Sequence, residues 1–266
     1  MMGKDFIAIV PARFASTRLP GKPLRKIAGR PMILHTADRA NESGAEAVYV
    51  ATDDERVRAV CEAAGVPVVM TRPDHLSGSD RLAEVCDVLQ LDDDAIVVNV
   101  QGDEPLIAAA VIEQVATLLM ENPDCEMASL YHSIEDPDDV FDPGVVKVVC
   151  DNRGRALYFS RAPIPFIRER YSERADAAGH DGATPALRHI GLYAYRAGFL
   201  RRFVSLEPAP IEQLEALEQL RALYHGARIM MAPACASIGP GVDTEQDLER
   251  VEAMWSRLQP AKPGKT

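Results

Sequence analysis

Short apolar runs alternate with amphipathic stretches of helical length through the first half of the chain. The apolar runs end at Pro, Gly or acidic residues, as buried strands do, and the stretches between them predict helices. Strands and helices that alternate over short connections are typical of βαβ units and a parallel sheet. The pattern predicts strands over 6–10, 47–52, 66–70 and 95–100, and helices over 30–40, 55–64, 79–90 (with Ser79 as N-cap) and 108–121.

The alternation changes after residue 134. From there the pattern predicts strands over 145–150, 156–160, 188–195 and 228–232, a polar mobile loop over 171–184, and helices over 211–224 and from Thr244 onward. The first two of these strands are joined by a polar turn, which predicts a β-hairpin. In the helix predicted over 211–224, Leu214, Leu217 and Leu220 have the spacing of a buried stripe.

These elements predict an α/β fold with three layers, in which a mostly parallel sheet carries an antiparallel β-rich insertion. We expect residues 1–134 and 201–259 to form the α/β domain, residues 135–200 the insertion, and residues 260–266 a disordered tail. An insertion of this kind commonly forms a lid or a dimer surface, and the pattern alone does not separate the two.

Composition is that of an ordinary globular protein, with 47% hydrophobic and 26% charged residues. No apolar run approaches the ~20 residues of a membrane span, and the first strand begins too early to leave room for a signal peptide. The five cysteines form no CxxC pair and are expected to be reduced core residues, so a cytoplasmic location is predicted. The net charge of −11 disfavours general nucleic-acid binding.

A basic loop follows the first strand and holds Arg13, Arg18 and Lys22. Ligands of parallel sheets bind beyond the carboxyl ends of the strands, so this loop is predicted to lie at a ligand site. Three cations in one short loop indicate a polyanionic ligand, most simply a polyphosphate. The alternative is a solvated basic turn.

Two acidic turns are predicted to share that edge of the sheet. Asp103 and Glu104 follow the fourth strand, and Asp243 precedes the final helix. Mg²⁺ is typically held by one or two carboxylates together with substrate phosphates and waters, so Asp103 and Asp243 make a candidate metal pair. The alternative is structural, because Thr244 and Asp247 already explain much of the second turn as a capping box.

Other polar residues are interleaved with apolar ones around the predicted insertion. Arg72, Arg161 and His189 are candidates for pairing with a substrate carboxylate, although a lone histidine is more often structural. Glu218 and Gln219 lie off the leucine stripe and are further candidates for ligand contact. The absence of GxGxxG, GxxxxGK[ST], HExxH and GxSxG disfavours dinucleotide oxidoreductases, Walker-type NTPases, zincins and α/β-hydrolases.

Five motifs in order resemble the sugar-activating cytidylyltransferases, whose fold is of the nucleotide-diphospho-sugar transferase type. The resemblance runs from about residue 6 to residue 255 and is closest to the branch that activates the eight-carbon acid sugar 3-deoxy-D-manno-octulosonate (Kdo). Two departures are mild: Phe14 replaces a common Tyr, and 162–166 lacks the Thr and Trp often found there. The matching motifs are PARFASTRLPGKP (11–23), NVQGDEP (99–105), YFSR (158–161), RHIG (188–191) and GVDT (241–244).

The resemblance implies transfer of CMP from CTP to Kdo, with release of pyrophosphate, for lipopolysaccharide assembly. It also implies a homodimer, formed through an insertion that supplies the Kdo pocket. The implied catalytic residues are Arg13 and Lys22, which would hold the triphosphate, and Asp103 and Asp243, which would hold Mg²⁺ as cofactor. The other implied ligands are Pro11, Ala12, Ser77 and Gly78 for CTP, and Arg72, Gln101, Arg161, His189, Tyr193, Glu218 and Gln219 for Kdo.

Three other interpretations remain open at this point. A cytidylyltransferase for another acid sugar, such as a nine-carbon sialic acid, would share the basic loop and the acidic turns. A nucleotide-sugar-dependent glycosyltransferase would have a similar core but would not release pyrophosphate. A nucleotide sensor would bind CTP and form no product.

Overall fold

The computed structural model describes residues 5–75, 77–168 and 185–258. The predicted mobile loop (171–184) and the predicted disordered tail (260–266) lie outside these ranges. No helix in the described ranges is long and apolar enough to cross a membrane.

The strands alternate with helices in the first half of the chain, as the hydrophobic pattern predicts. In chain order the strands are β1 (Phe6–Ala12), β2 (Lys26–Ile27), β3 (Arg30–Pro31), β4 (Ala47–Thr52), β5 (Val68–Met70), β6 (Ile96–Asn99), β7 (Met127–Ser133), β8 (Lys147–Cys150), β9 (Ala156–Ser160), β10 (Leu187–Arg196) and β11 (Ile229–Pro233).

The helices vary from short turns to fourteen residues. In chain order they are α1 (Met32–Glu42), α2 (Glu55–Ala63), α3 (Gly78–Val88), α4 (Ala109–Met120), α5 (Ala197–Phe203), α6 (Pro210–Glu215), α7 (Gln219–Tyr224) and α8 (Glu245–Leu258), with 3-10 turns at Lys22–Leu24 and Pro137–Val140.

The chain forms two compact units. The first combines residues 1–91, 99–113 and 236–266, and the second combines 92–98 with 114–235. The predicted domains divide the chain at other positions, and their bounds stay a prediction.

In the first unit, β1, β4 and β5 form a parallel ribbon in that order. Their side chains are mostly buried because helices α1 and α3 pack on β1 and β4, so the apolar runs of the sequence become the core. The Thr52 hydroxyl donates to the carbonyl of Ala12, at 2.7 Å, where β1 and β4 end. The amide of Val100 donates to Ile9 O at 3.0 Å, which places the turn after β6 at the same edge.

In the second unit, β7 is paired on both sides. It runs antiparallel to β10 and parallel to β11, while β8 is antiparallel to both β10 and β9. The pairing of β8 with β9 confirms the predicted hairpin. A bulge interrupts β10 between Ile190 and Tyr193, where Ser129 Oγ lies 2.9 Å from the carbonyl oxygens of both Ile190 and Leu192.

Several details of the sequence prediction are wrong. The helix predicted over 211–224 is two helices, because Ala216 adopts the left-handed conformation and ends α6. Leu217 and Leu220 are buried as predicted, but Leu214 is 86% exposed. The N-cap of α3 is Ser77 and not Ser79, since Ser77 and Asp80 form a capping box.

Two further differences concern strands and cysteines. Strand β7 was not predicted, because its sequence, MASLYHS, mixes polar and apolar residues without a strict alternation. Cys61, Cys86 and Cys125 are buried as expected, whereas Cys150 is half-buried and Cys235 is exposed. All five thiols are free.

Candidate active site

A cavity of about 440 Å³ opens in the first unit, at the edge where β1 ends. It is lined by the end of β1 and the loop that follows, by the first residue of α1, by the beginning of α3, and by the turn that follows β6. The residues predicted to bind CTP all line the cavity, and so does Asp103, which was predicted to bind the metal: Pro11, Ala12, Arg13, Lys22, Ser77 and Gly78 for CTP. The parallel strands thus bring together residues that lie far apart in the sequence.

Lys22 lies between two carboxylates. Its ammonium donates to Asp103 Oδ2 at 2.5 Å and to Asp243 Oδ1 at 2.7 Å. Burial acts to lower the pKa of Lys22, but the charges and hydrogen bonds of Asp103 and Asp243 outweigh it, and the pKa is raised above 10.5. Lys22 is therefore cationic at neutral pH.

The two acidic turns are joined through their backbones. The amide of Val242 donates to Asp103 O at 2.9 Å, so the turn after β6 and the segment before α8 run side by side. Gly239 allows this approach, because a Cβ there would lie 2.5 Å from Leu106 Cβ. Gly102 has a similar role, since its Cβ would lie 2.7 Å from the carbonyl oxygen of Pro11. Gly239 thus lets the two acidic turns pack together, and Gly102 lets the turn after β6 pack on the end of β1.

The carboxylates of Asp103 and Asp243 suit a magnesium ion. They converge on one point, since the same ammonium reaches both, and their side chains remain 31% and 48% exposed. The described residues hold no group of three or more His, Cys, Asp or Glu that could enclose a metal. Two carboxylates, with the remaining positions left to phosphates and water, are the donor set that Mg²⁺ favours.

Arg18 extends the same cluster. Its guanidinium lies 3.3 Å from Asp243 Oδ2, and it lines the cavity with Arg13. Both arginines are exposed. The family resemblance implies no role for Arg18, and the structure places it beside a candidate metal ligand.

Glu104 differs from its neighbour Asp103. Burial, with the charge of Asp103 as a second cause, raises the pKa of Glu104 to about 7. Its Oε2 atom is buried and has no hydrogen-bond partner within the described part of the chain. Both residues are half-buried, but Asp103 is paired with Lys22, and the sequence did not distinguish it from Glu104, whose Oε2 atom is buried.

The far wall of the cavity is built from the start of α3. A Cβ on Gly78 would lie 3.8 Å from Pro11 and 3.9 Å from the amide groups of Asn99 and Gln101, so this wall faces the end of β1. Gln101 donates from Nε2 to Asn99 Oδ1 at 3.2 Å, which fixes the orientation of its amide.

Arg81 was missed by the sequence analysis, although it lines the cavity and is only 1% exposed. Its guanidinium donates to Thr71 Oγ1 and lies 3.3 Å from Asp53 Oδ1. Burial lowers its pKa, and the charge of Asp53 opposes that effect. An arginine in an amphipathic helix carries no sequence signal for burial, because Thr71 and Asp53 come from the ends of other strands.

Arg72, predicted as a Kdo ligand, is exposed and lies near Asp74 and Glu84. Glu84 accepts hydrogen bonds from His75 Nε2 and from the amide of Arg72. These contacts bring the segment before α3 against that helix.

Apart from Arg72 and Gln101, the predicted Kdo ligands lie in the second unit. His189 contacts Phe159 and Tyr193, with ring centroids 4.8 Å and 5.4 Å apart, and its Nε2 lies 3.0 Å from Ser129 Oγ. Burial lowers the pKa of His189 to about 3, so its ring is neutral at physiological pH. Burial also raises the pKa of Tyr193 well above 10.

Arg161, Glu218 and Gln219 lie around the break between α6 and α7. The Arg161 guanidinium donates to Glu215 O and Pro143 O, both at 2.7 Å. Gln219 is 6% exposed, and Glu218 is half-buried.

The sequence matches the family described as cytidylyltransferase over residues 7–229. The chain belongs to the cytidylyltransferase family. Two relatives, from Alcanivorax borkumensis and Methylibium petroleiphilum, carry the name 3-deoxy-manno-octulosonate cytidylyltransferase. Each is 55% identical over 250 residues, which is 94% of this chain and 98% and 95% of the respective relatives.

Solved structures of cytidylyltransferases confirm the predicted fold class. The structure of a CMP:2-keto-3-deoxy-manno-octonic acid synthetase complexed with CTP matches 95% of this chain and 98% of its own, with a TM-score of 0.84 and 41% identity. A cytidylyltransferase from Leptospira borgpetersenii matches 97% of this chain and 88% of its own, with a TM-score of 0.59. At 16% identity the second match shows the fold alone.

Proposed function

We propose that this cytidylyltransferase transfers CMP from CTP to Kdo and releases pyrophosphate, as a step of lipopolysaccharide biosynthesis. The observation that carries the proposal is the cluster of Lys22, Asp103 and Asp243 in a chain 55% identical to two proteins named for this reaction. Cations that can bind a polyphosphate lie beside carboxylates that can bind the metal ion accompanying it. Both groups lie at one edge of the sheet.

The reaction requires the anomeric hydroxyl of the sugar to attack the α-phosphorus of CTP. The new P–O bond forms to that oxygen, the bond to the β-phosphate bridge breaks, and the hydroxyl proton is lost to solvent or phosphate. Negative charge then builds on the leaving pyrophosphate. Lys22, Arg13 and Arg18 supply positive charge at the cavity, and catalysis by positioning and charge needs no covalent intermediate.

We propose that Asp103 and Asp243 hold Mg²⁺. Held there, the ion would supply positive charge that offsets the charge of the phosphates and would act as a Lewis acid. Lys22 keeps the two carboxylates close together, and the backbone hydrogen bond from Val242 to Asp103 holds their two segments in register.

For the acid sugar we propose the ligands that the family resemblance implies. They are Arg72 and Gln101 in the first unit, and Arg161, His189, Tyr193, Glu218 and Gln219 in the second. A neutral His189 suits hydrogen bonding to a sugar hydroxyl and does not suit charge pairing with the carboxylate. The arginines remain the candidates for the carboxylate.

The proposal also includes an oligomeric state and a cellular location. We propose a homodimer formed through residues 135–200, on the family resemblance alone. We also propose a cytoplasmic location, which is supported by a nucleoside triphosphate substrate and by five free cysteines.

A pyrophosphate-release assay tests the function. Purified protein with CTP and Mg²⁺ should release pyrophosphate with Kdo and not with N-acetylneuraminate. Release with another acid sugar alone would keep the reaction and overturn the sugar. CTP binding without release on any acid sugar would favour the nucleotide sensor.

A further inference from the structure

Glu215 joins the end of β9 to the end of α6. Its carboxylate accepts hydrogen bonds from Ser160 Oγ at 2.6 Å, from the amide of Arg161 at 2.9 Å and from Tyr158 OH at 3.4 Å. Burial acts to raise the pKa of Glu215, but these hydrogen bonds outweigh it, and the pKa is lowered. The carboxylate is therefore ionised at neutral pH and acts only as an acceptor.

Arg161 completes the connection from the other side. Its Nε donates to Glu215 O at 2.7 Å, and its Nη1 donates to Pro143 O at 2.7 Å. The Arg161 carbonyl accepts from the buried ammonium of Lys147 at 2.6 Å. Glu215 and Arg161 thus hold each other through both backbone and side chain, and neither is free to turn without breaking several hydrogen bonds.

The helix break follows directly after Glu215, beside these contacts. Ala216 has φ 50° and ψ 50°, a conformation that is unfavourable for alanine unless surrounding contacts impose it. The sequence alone predicts one helix through this point. The break brings Glu218 to the N-cap of α7 and buries Gln219 at its first position.

We propose that Glu215 is a positioning residue for the acceptor sugar. It fixes Arg161 at the end of β9 and sets the break that places Glu218 and Gln219. This inference rests on the proposed function, in which those three residues bind the sugar. Glu215 itself contacts no substrate in this proposal, and its effect passes through the residues that it holds.

Glu215→Gln tests the role with little change in size. The amide offers one acceptor where the carboxylate offers two, so either Ser160 or the Arg161 amide loses its acceptor. We expect KM for Kdo to rise by about tenfold or more, while KM for CTP changes by less than about twofold. Glu207→Gln is the matched control, because Glu207 is an exposed glutamate of the same unit, and it should leave both KM values unchanged.

Unchanged KM for Kdo in Glu215→Gln would overturn the proposal. Equal rises in both KM values with a lower melting temperature would also overturn it, because they indicate a structural role only. If Glu215→Gln fails to fold, Ser160→Ala removes one donor to the same carboxylate and should raise KM for Kdo selectively, by about threefold or more.

Pyrophosphate release by the wild-type protein distinguishes a failure of this inference from a failure of the proposed function. If wild-type protein releases pyrophosphate only with a different acid sugar, the same pair of KM values is measured with that sugar. A selective rise there supports the positioning role although the Kdo assignment has failed. If no acid sugar is used, both proposals fail.

Discussion

The ammonium of Lys22 lies 2.7 Å from a carboxylate oxygen of Asp243, a residue 221 positions further along the chain. Asp103, on a third segment, accepts from the same ammonium. One cation therefore links the basic loop, the turn after β6 and the segment before α8. The residues proposed to bind phosphate and those proposed to bind metal are therefore parts of a single cluster, so each should affect the function of the others.

Lys22→Ala should lower kcat by about 10²-fold or more, because it removes the cation that we propose stabilises the leaving pyrophosphate. The measurement is steady-state pyrophosphate release at saturating CTP, Kdo and Mg²⁺. Lys26→Ala is the matched control, since Lys26 is an exposed lysine four residues further on. Near-normal turnover of Lys22→Ala would remove Lys22 from the mechanism.

Asp243→Asn should lower kcat by a similar factor of about 10², and should raise the Mg²⁺ concentration needed for half-maximal activity. The amide keeps the shape of the side chain but removes the negative charge that a divalent ion requires. A Mg²⁺ titration of activity measures both effects, with the exposed Glu249→Gln as control. Wild-type Mg²⁺ dependence together with wild-type kcat would exclude Asp243 as a metal ligand.

Several strands could be predicted because their sequences carry the signal locally. The segment Ala47–Thr52 is an apolar run that ends at acidic residues, and it forms β4 with the predicted bounds. The basic loop and both acidic turns follow predictable elements, so their presence at one edge could be expected from the topology of parallel strands. The sequence could not show that Lys22 would bridge the two carboxylates.

The features that were missed are set by contacts between distant segments. Ala216 breaks a helix of good local propensity, and the Glu215 carboxylate before it accepts hydrogen bonds from Ser160, at the end of β9, and from Arg161, just after it. Arg81 is buried because Asp53 and Thr71 receive its guanidinium. Neither outcome follows from residue spacing within one element.

Arg56→Ala should raise KM for CTP by about two- to fivefold, because it loosens the loop that carries Arg13. The Arg56 guanidinium lies 3.4 Å from the centre of the Phe14 ring, and its Nη2 donates to Asp54 Oδ2 at 2.6 Å. A Cβ added to Gly21, at the other end of the loop, would lie 3.2 Å from the Phe14 ring. Arg56 thus connects the start of α2 to the basic loop.

Arg58→Ala is the control for this prediction, because Arg58 lies on the same helix and pairs only with Glu55 and Glu62 among the described residues. KM for Kdo serves as a second reference and should stay constant in both variants. A KM for CTP that is identical in wild type and Arg56→Ala would mean that the ring contact does not restrain the loop.

Glu104→Gln should change the pH dependence of stability. The pKa of Glu104 is about 7 in the folded protein and 4.5 in its ordinary state, so the folded chain keeps a proton that the unfolded chain loses. Glu104 therefore destabilises the fold progressively as pH rises through this interval, and the cost is complete above pH 7. Glutamine carries no such cost, because it does not ionise.

Chemical denaturation in EDTA without nucleotide measures this effect, since a metal at Asp103 would alter the neighbouring charge. The free energy of unfolding of Glu104→Gln minus that of wild type should be larger at pH 8 than at pH 5, by about 2 to 3 kcal/mol. Any fixed cost of the buried amide appears equally at both pH values and cancels in this comparison. Glu121→Gln, an exposed control, should show no such pH-dependent gain. A constant difference between Glu104→Gln and wild type across the range would show that Glu104 is already ionised in the folded protein at pH 5.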